Sequence, residues 1–232
     1  MMNTITDTPI IINLFNNYLY ILRIQYKMIS REQLITIFEQ NKLLGKGVEV
    51  GSFEGGYANE ILKKWSGKLY LVDVWRPLDI KDYEDSSNQH SYKTIINKCL
   101  DNISGHEDRC FMIRGDSVNG AELFNDESLD FIYIDANHKY EFVKQDMETW
   151  FPKLRNGGIF AGHDYLKMDW YSDTSYAENG KDKHIWTQTS SVNFDNYAGL
   201  FGVNPAVDEF CKRYGYKFDL TNEWFGSWYF TK

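Results

Sequence analysis

The sequence lacks the features that mark several common protein classes. Its 232 residues include only three cysteines, with neither CxxC spacing nor a Cys/His metal pattern, so reduced thiols in a cytosolic protein are expected. The formal net charge is −8, so the basic surface that binds phosphate backbones is missing and we expect no nucleic-acid partner. Because no apolar run approaches the roughly 18 residues of a membrane span, we expect a cytoplasmic protein without a membrane partner.

The first 28 residues form a separate segment. Residues 9–24 read PIIINLFNNYLYILRI, but asparagines and an arginine interrupt the apolar run, and no basic region precedes it. We predict an N-terminal extension over residues 1–28, favouring a helix on the domain over a partner-contacting arm or an extension upstream of a start at Met28. Residues 29–232 have the length of one α/β domain.

Short apolar strands alternate with helices along the rest of the chain. Ser30 and Gln33 form a capping-box pattern that predicts a helix over residues 30–44. The pattern predicts a Rossmann-like α/β fold, with a seven-stranded mixed sheet that is mostly parallel, a C-terminal antiparallel hairpin and helices on both faces. The predicted strands cover residues 46–51, 68–74, 109–113, 129–134, 158–162, 216–220 and 227–230.

Three motifs after predicted strands indicate a nucleoside site. The loop EVGSFEGG, residues 49–56, has glycines that allow a tight turn and close backbone approach, although its spacing also fits an ordinary β-to-α turn. Asp73 ends the next strand, where an acidic residue hydrogen-bonds ribose hydroxyls in nucleoside-binding folds. Asp116 and Ser117 follow the third strand and fit either an adenine contact or a helix cap.

Two further motifs bring acids and histidines to the same sheet edge. Asp135 and His138 follow the fourth strand, and His163 and Asp164 follow the fifth. Neighbouring parallel strands would place the two aspartates close together, where oxygen ligands suit Mg²⁺, Mn²⁺ or Ca²⁺ better than zinc. The alternative is a polar cluster without a metal.

Together these residues resemble a known family. The segments VEVGSFEGG, LYLVDVW, GDS and DFIYIDANHKYEFVKQDMETWFPKLRNGGIFAGHDY look like class I S-adenosylmethionine-dependent methyltransferases, close to small-molecule O-methyltransferases of the catechol and macrocin type. The resemblance covers about residues 47–232. It implies a cofactor site formed by Glu49, Gly51, Ser52, Phe53, Gly55, Asp73, Val74, Asp116, Ser117 and Asp135.

The resemblance also implies the reacting groups. Asp135, His163 and Asp164 would hold a divalent cation, Mg²⁺ or Mn²⁺, and His138 would be the general base. His163 departs from the catechol pattern, in which an acid is usual. The expected reaction is metal-assisted O-methylation of a small polyhydroxylated molecule such as a sugar. The alternatives are a metal-independent methyltransferase with another acceptor and a non-catalytic relative of the fold.

A long polar and aromatic segment follows the fifth strand. Residues 165–203 include tryptophans and tyrosines among Asp, Ser, Asn and Lys. A segment of this length without clear structure is usually functional, and its aromatics suit stacking on a sugar ring. We predict a substrate-binding lid, with a contact between copies in a homo-oligomer as the alternative.

Overall fold

The computed structural model describes residues 29–76, 92–166, 202–223 and 225–232. The predicted N-terminal extension and most of the predicted lid therefore lie outside the described residues. Strands β1–β7 span Lys46–Val50, Lys68–Asp73, Cys110–Arg114, Leu129–Ile134, Leu154–Leu166, Asp219–Leu220 and Phe225–Thr231. Helices α1–α6 span Arg31–Gln40, Gly56–Lys64, Tyr92–Ile103, Ser117–Ala121, Tyr140–Trp150 and Val203–Tyr214.

The seven described strands form one sheet in the order β3-β2-β1-β4-β5-β7-β6. Strands β1 to β5 are parallel, and β7 is antiparallel to both β5 and β6. This arrangement confirms the predicted Rossmann-like mixed sheet and its C-terminal hairpin. The order reverses between β1 and β4, and in such sheets ligands bind beyond the carboxyl ends of the strands at that point.

Apolar side chains from the helices bury both faces of the sheet. On one face, Phe38 of α1 stacks on Phe131 of β4 with ring centroids 4.2 Å apart, in a cluster that also includes α2 and α3. On the other face, Trp150 of α5 and Phe210 of α6 pack in a second cluster around Phe160 of β5. Both faces of β4 are consequently buried along its whole length.

Helix α1 begins where the capping-box pattern places it. The Ser30 hydroxyl accepts a hydrogen bond from the Gln33 backbone N–H, and the Gln33 side chain accepts one from the Ser30 backbone N–H at 2.7 Å. The helix ends at Gln40, four residues earlier than predicted. Helix α5 ends at Trp150, where a 3₁₀ turn that contains Pro152 follows it.

The predicted end of the fifth strand is wrong. Strand β5 continues to Leu166, so His163 and Asp164 lie within it and not after it. Antiparallel pairing with β7 extends the strand, and its register shifts between Gly162 and Tyr165. Asp164 has a φ of +63° at this bulge, which turns its side chain relative to the regular strand alternation.

The three cysteines, Cys99, Cys110 and Cys211, are buried free thiols, as the sequence predicts. Among the helices in the described part of the chain, none is long and apolar enough to cross a membrane.

Candidate cofactor and acceptor site

A cavity of about 600 Å³ opens beyond the carboxyl ends of β1, β2 and β4. Its size lies within the range of small-molecule sites, which is about 300–1,000 Å³. Eight of the predicted site residues line it: Gly51, Phe53, Asp73, Val74, Asp116, Ser117, Asp135 and His138. Glu49, Ser52, Gly55, His163 and Asp164 do not line this cavity, although Glu49 and Ser52 are buried close behind the glycine loop.

The first glycine of the loop is required by close packing against β4. Gly51 has a φ of +88°, and a Cβ built on it would lie 2.1 Å from the Asp135 carbonyl oxygen. Its N–H donates to the carbonyl oxygen of Val72 at 2.8 Å. No other residue type fits here without moving the end of β4, so Gly51 brings the loop and the Asp135 motif together.

Asp73 holds the glycine loop against the end of β2. One carboxylate oxygen accepts a hydrogen bond from the Phe53 N–H and the other accepts one from the Trp75 N–H, both at 2.8 Å. The Trp75 indole in turn donates to the Phe53 carbonyl oxygen at 2.8 Å. Asp73 therefore shapes the cavity as well as lining it. Trp75 was missed by the sequence analysis, because a tryptophan after a strand resembles ordinary core.

The opposite side of the cavity contains a buried acid that the sequence analysis missed. The Asp116 side chain caps α4 by accepting from the Asn119 N–H at 3.0 Å, and that hydrogen bond lowers its pKa. Ser117 accepts from the Trp150 indole at 2.8 Å and hydrogen-bonds Asp146. Asp146 is only 4% exposed, and burial raises its pKa to about 7 although the Ser117 hydrogen bond opposes the shift. The sequence signal that could have revealed Asp146 is the position of an acid on the apolar face of α5.

Two aspartates and two histidines converge beside the cavity. The His138 Nε2 atom lies 2.9 Å from Asp164 Oδ2 and 3.7 Å from Asp135 Oδ1. The His163 Nδ1 atom lies 2.8 Å from Asp164 Oδ1 and 4.0 Å from Asp135 Oδ2. One potential ligand atom each from Asp135, His138 and Asp164 falls within 4.8 Å of the other two, so the nitrogen in this group belongs to His138 and not to His163.

The two carboxylates change the protonation of His138. Burial of the imidazole favours its neutral form, but hydrogen bonds and charge from Asp135 and Asp164 win and raise its pKa to about 10. The pKa of the Asp164 carboxyl is correspondingly lowered far below its usual value, because both histidines favour the carboxylate over the opposing effect of burial. Without a cation, the two carboxylates therefore favour the protonated form of the imidazole.

Arg31 is the site residue that the sequence analysis missed most clearly. Its guanidinium donates to Asp135 Oδ2 at 2.8 Å and lies over the Tyr57 and Tyr133 rings, at 4.0 and 5.1 Å from the centroids. Arg31 is in the first turn of α1, more than 100 residues from Asp135 in sequence, so no local motif links them. Fully buried Glu49 lies near both groups, and burial raises its pKa to about 8 although Arg31 opposes the shift.

Comparisons with known proteins identify the family of the domain and its fold. Residues 48–165 match a methyltransferase domain family, and the chain belongs to that family. The match therefore assigns a methyltransferase domain to these residues. The chain is 26% identical over 152 residues to the uncharacterized protein R132 of Acanthamoeba polyphaga mimivirus, across 64% of this chain and 63% of that protein's length.

Solved structures share the fold at low sequence identity. A protein assigned as a caffeoyl-CoA O-methyltransferase from Staphylococcus aureus has a TM-score of 0.58 at 15% identity, covering 94% of this chain and all of that one. The O-methyltransferase TomG from Streptomyces achromogenes, solved with S-adenosylmethionine, has a TM-score of 0.54 at 9% identity, over 86% and 77% of the chains. A protein assigned as an rRNA methylase from Clostridium thermocellum gives 0.51 at 13%, over 88% and 96%. The fold is therefore shared among proteins assigned to different acceptors.

Proposed function

We propose that the protein transfers the methyl group of S-adenosylmethionine to a hydroxyl oxygen on a small polyhydroxylated acceptor such as a sugar. The observation that carries the proposal is the His138–Asp164 pair, 2.9 Å apart, at the edge of the cofactor cavity beside Asp135. An imidazole oriented by a carboxylate is the arrangement that removes a proton from a hydroxyl nucleophile.

The cofactor already activates the methyl group, so the protein has to align and deprotonate the acceptor. Transfer is an in-line displacement, which rewards precise positioning of the nucleophile. We assign ribose binding to Asp73 and place adenine near Asp116 and Ser117, with the methionine end towards Asp135. His138 would then stand beside the reacting oxygen and take its proton, while Asp164 holds the ring in place.

The acidic residues fit a divalent cation. Asp135 and Asp164 offer carboxylate oxygens close to one another, which suits Mg²⁺ or Mn²⁺. Such a cation lowers the pKa of a hydroxyl group near it and opposes protonation of a neighbouring imidazole. In this arrangement the two aspartates would hold the ion, and its positive charge would favour the neutral His138 imidazole, which can then act as the base. His163, in contact with Asp164, is a further candidate ligand.

One observation favours a second candidate, a methyltransferase of the same fold that works without a metal. Arg31 already pairs with Asp135, and the two histidines already contact Asp164, so the charge of each carboxylate has a partner among the described residues. Exhaustive treatment with EDTA separates the candidates. Metal-assisted turnover falls and returns with Mg²⁺ or Mn²⁺, whereas metal-independent turnover is unchanged.

The proposal is tested by offering the protein labelled S-adenosylmethionine with panels of nucleotide sugars, phenols and structured RNA. We expect label in a sugar or other polyhydroxylated product. The label should survive treatment with base, as a methyl ether does and a methyl ester does not. Label in the RNA, or in a carboxylate ester, would overturn the acceptor class. The His138→Ala protein serves as the matched control, because it should bind cofactor without labelling the product.

A further inference from the structure

Arg31 is fixed by contacts from three separate parts of the chain. Its guanidinium lies over the Tyr57 and Tyr133 rings and donates a hydrogen bond to Asp135. Its backbone carbonyl accepts a hydrogen bond from the Tyr57 hydroxyl at 3.1 Å. Its backbone N–H donates to the Glu223 carboxylate. The charged end is therefore held in one place, and its side chain is 21% exposed.

The guanidinium hydrogen-bonds one of the carboxylate oxygens that a cation at this site would use as a ligand. Asp135 Oδ2 accepts from Arg31 at 2.8 Å, and Asp135 Oδ1 is 3.7 Å from His138. A divalent ion bound to Asp135 would add two positive charges within a few ångströms of a guanidinium that stays protonated at every physiological pH. The ion and the guanidinium cannot both contact Asp135 at close range without strong repulsion between them.

We propose that Arg31 is a built-in competitor of the divalent cation, so that an ion binds Asp135 tightly only when the guanidinium moves away. The inference rests on the proposed cation site and assigns it a regulator that lies in the first turn of α1. Because Arg31 begins that helix, ion binding and the position of its first turn become linked. By reciprocity, the contact between Arg31 and Asp135 weakens ion binding by the same factor by which the ion weakens that contact.

The test is a titration of the full-length, EDTA-treated protein with Mn²⁺, followed by the loss of the free-ion EPR signal. Arg31→Gln removes the charge but keeps much of the stem, and we expect it to bind Mn²⁺ about 5- to 150-fold more tightly than the wild type. Arg155→Gln is the matched control, because Arg155 pairs with Asp130 at the other end of β4 and its loss should leave the affinity unchanged.

Thermal unfolding gives a second readout that does not depend on activity. Without metal, Arg31→Gln should lower Tm, since Asp135 loses its partner. With saturating Mn²⁺ the difference from wild type should shrink, because the wild type has then also released that contact. S-adenosylhomocysteine binding in the same samples confirms that the variants are folded.

The outcomes are separable. Equal Mn²⁺ affinities in wild type and Arg31→Gln would overturn the competition while leaving a cation site in place. Absence of Mn²⁺ binding in both proteins would overturn the competition and the metal-assisted mechanism together. Neither result would affect methyl transfer itself, which the labelled-methyl panel measures independently. Arg31→Lys keeps the positive charge and should bind Mn²⁺ about as weakly as the wild type if charge keeps the ion out.

Discussion

Strand β4 has an aspartate near each end, and both pair with an arginine, yet only one of them lines the cavity. At the amino end, the Asp130 carboxylate accepts hydrogen bonds from the Arg155 guanidinium and the Gly45 backbone N–H. At the carboxyl end, Asp135 accepts from Arg31 and borders the 600 Å³ cavity. The two ion pairs look alike when each is considered by itself.

The difference lies in what surrounds each pair. The Asp130 carboxylate is paired with its donors, and none of the residues that line the cavity lies at that end of the strand. Around Asp135 there is a second carboxylate, Asp164, with two histidines in contact with it. A surplus of ionisable groups beside a cavity indicates chemistry, whereas a single closed pair away from a cavity indicates support of the fold.

The largest expected effect comes from removing the proposed base. His138→Ala should lower kcat by about 10²–10⁴, the usual contribution of a general base, while the affinity for S-adenosylhomocysteine stays close to wild type. The loss should shrink at high pH, where the acceptor ionises unaided. A near-normal kcat at neutral pH, or a protein that has lost cofactor binding, would show that the base is assigned wrongly.

Removal of Asp73, the proposed ribose-binding acid, should have the next largest effect. Asp73→Ala should weaken S-adenosylhomocysteine binding by roughly 10- to 150-fold, since hydrogen bonds to a charged group contribute about 1.5–3 kcal/mol. Part of the loss will come from the glycine loop, because Asp73 holds the Phe53 and Trp75 N–H groups. Calorimetry that finds full affinity in this variant would remove Asp73 from the site.

The amino-end pair should affect stability and not chemistry. Asp130→Ala leaves the Gly45 N–H without its acceptor, which should lower the free energy of unfolding by about 1–3 kcal/mol in a denaturant titration. Cofactor affinity and the rate per folded molecule should stay within about twofold of wild type. If kcat fell while the stability held, the contrast between the two ends of β4 would be broken.

The last prediction concerns the pH dependence of stability and Asp146, the buried acid that hydrogen-bonds Ser117. The pKa of Asp146 is raised to about 7, so between about pH 4 and 7 the folded protein binds a proton that the unfolded chain has released. Asp146 therefore stabilises the cofactor-free protein at low pH, and this stabilisation is lost as the pH rises from about 4 to about 7. Asp146→Asn should abolish that dependence, which cannot exceed about 1.4 kcal/mol per pH unit. Parallel stability curves for the two proteins across this range would contradict the assignment.

Local patterns predicted the fold well because they are read over neighbouring residues. Helical spacing, strand runs and the Ser30 capping box each involve contacts a few residues apart, and the sheet order follows from the alternation of strands and helices. The end of β5 was missed, because the strand extension depends on pairing with β7, about 60 residues later in the chain. The glycine loop and Asp73 could be singled out because both stand at strand ends, and Gly51, Phe53 and Asp73 line the cavity.

The residues that were missed are those defined by distant contacts. Arg31 reaches Asp135 only after α1 packs on the sheet, and Asp146 becomes a buried acid only through its place on α5. The roles of His138 and His163 were assigned from resemblance, and the bulge in β5 that brings Asp164 to His138 has no local sequence signal. The predicted lid stays a prediction, since residues 167–201 lie outside the described residues.

The most direct test of the central claim is the methyl-transfer rate of Asp164→Asn, measured at saturating S-adenosylmethionine with the acceptor identified in the panel. The substitution removes the charge that orients His138 but keeps the size of the side chain. We predict a loss of at least about tenfold in kcat with cofactor affinity unchanged, whereas Asp130→Asn keeps the wild-type rate. A wild-type rate in Asp164→Asn would contradict the assignment of the site formed by Asp135, His138 and Asp164 to the chemistry.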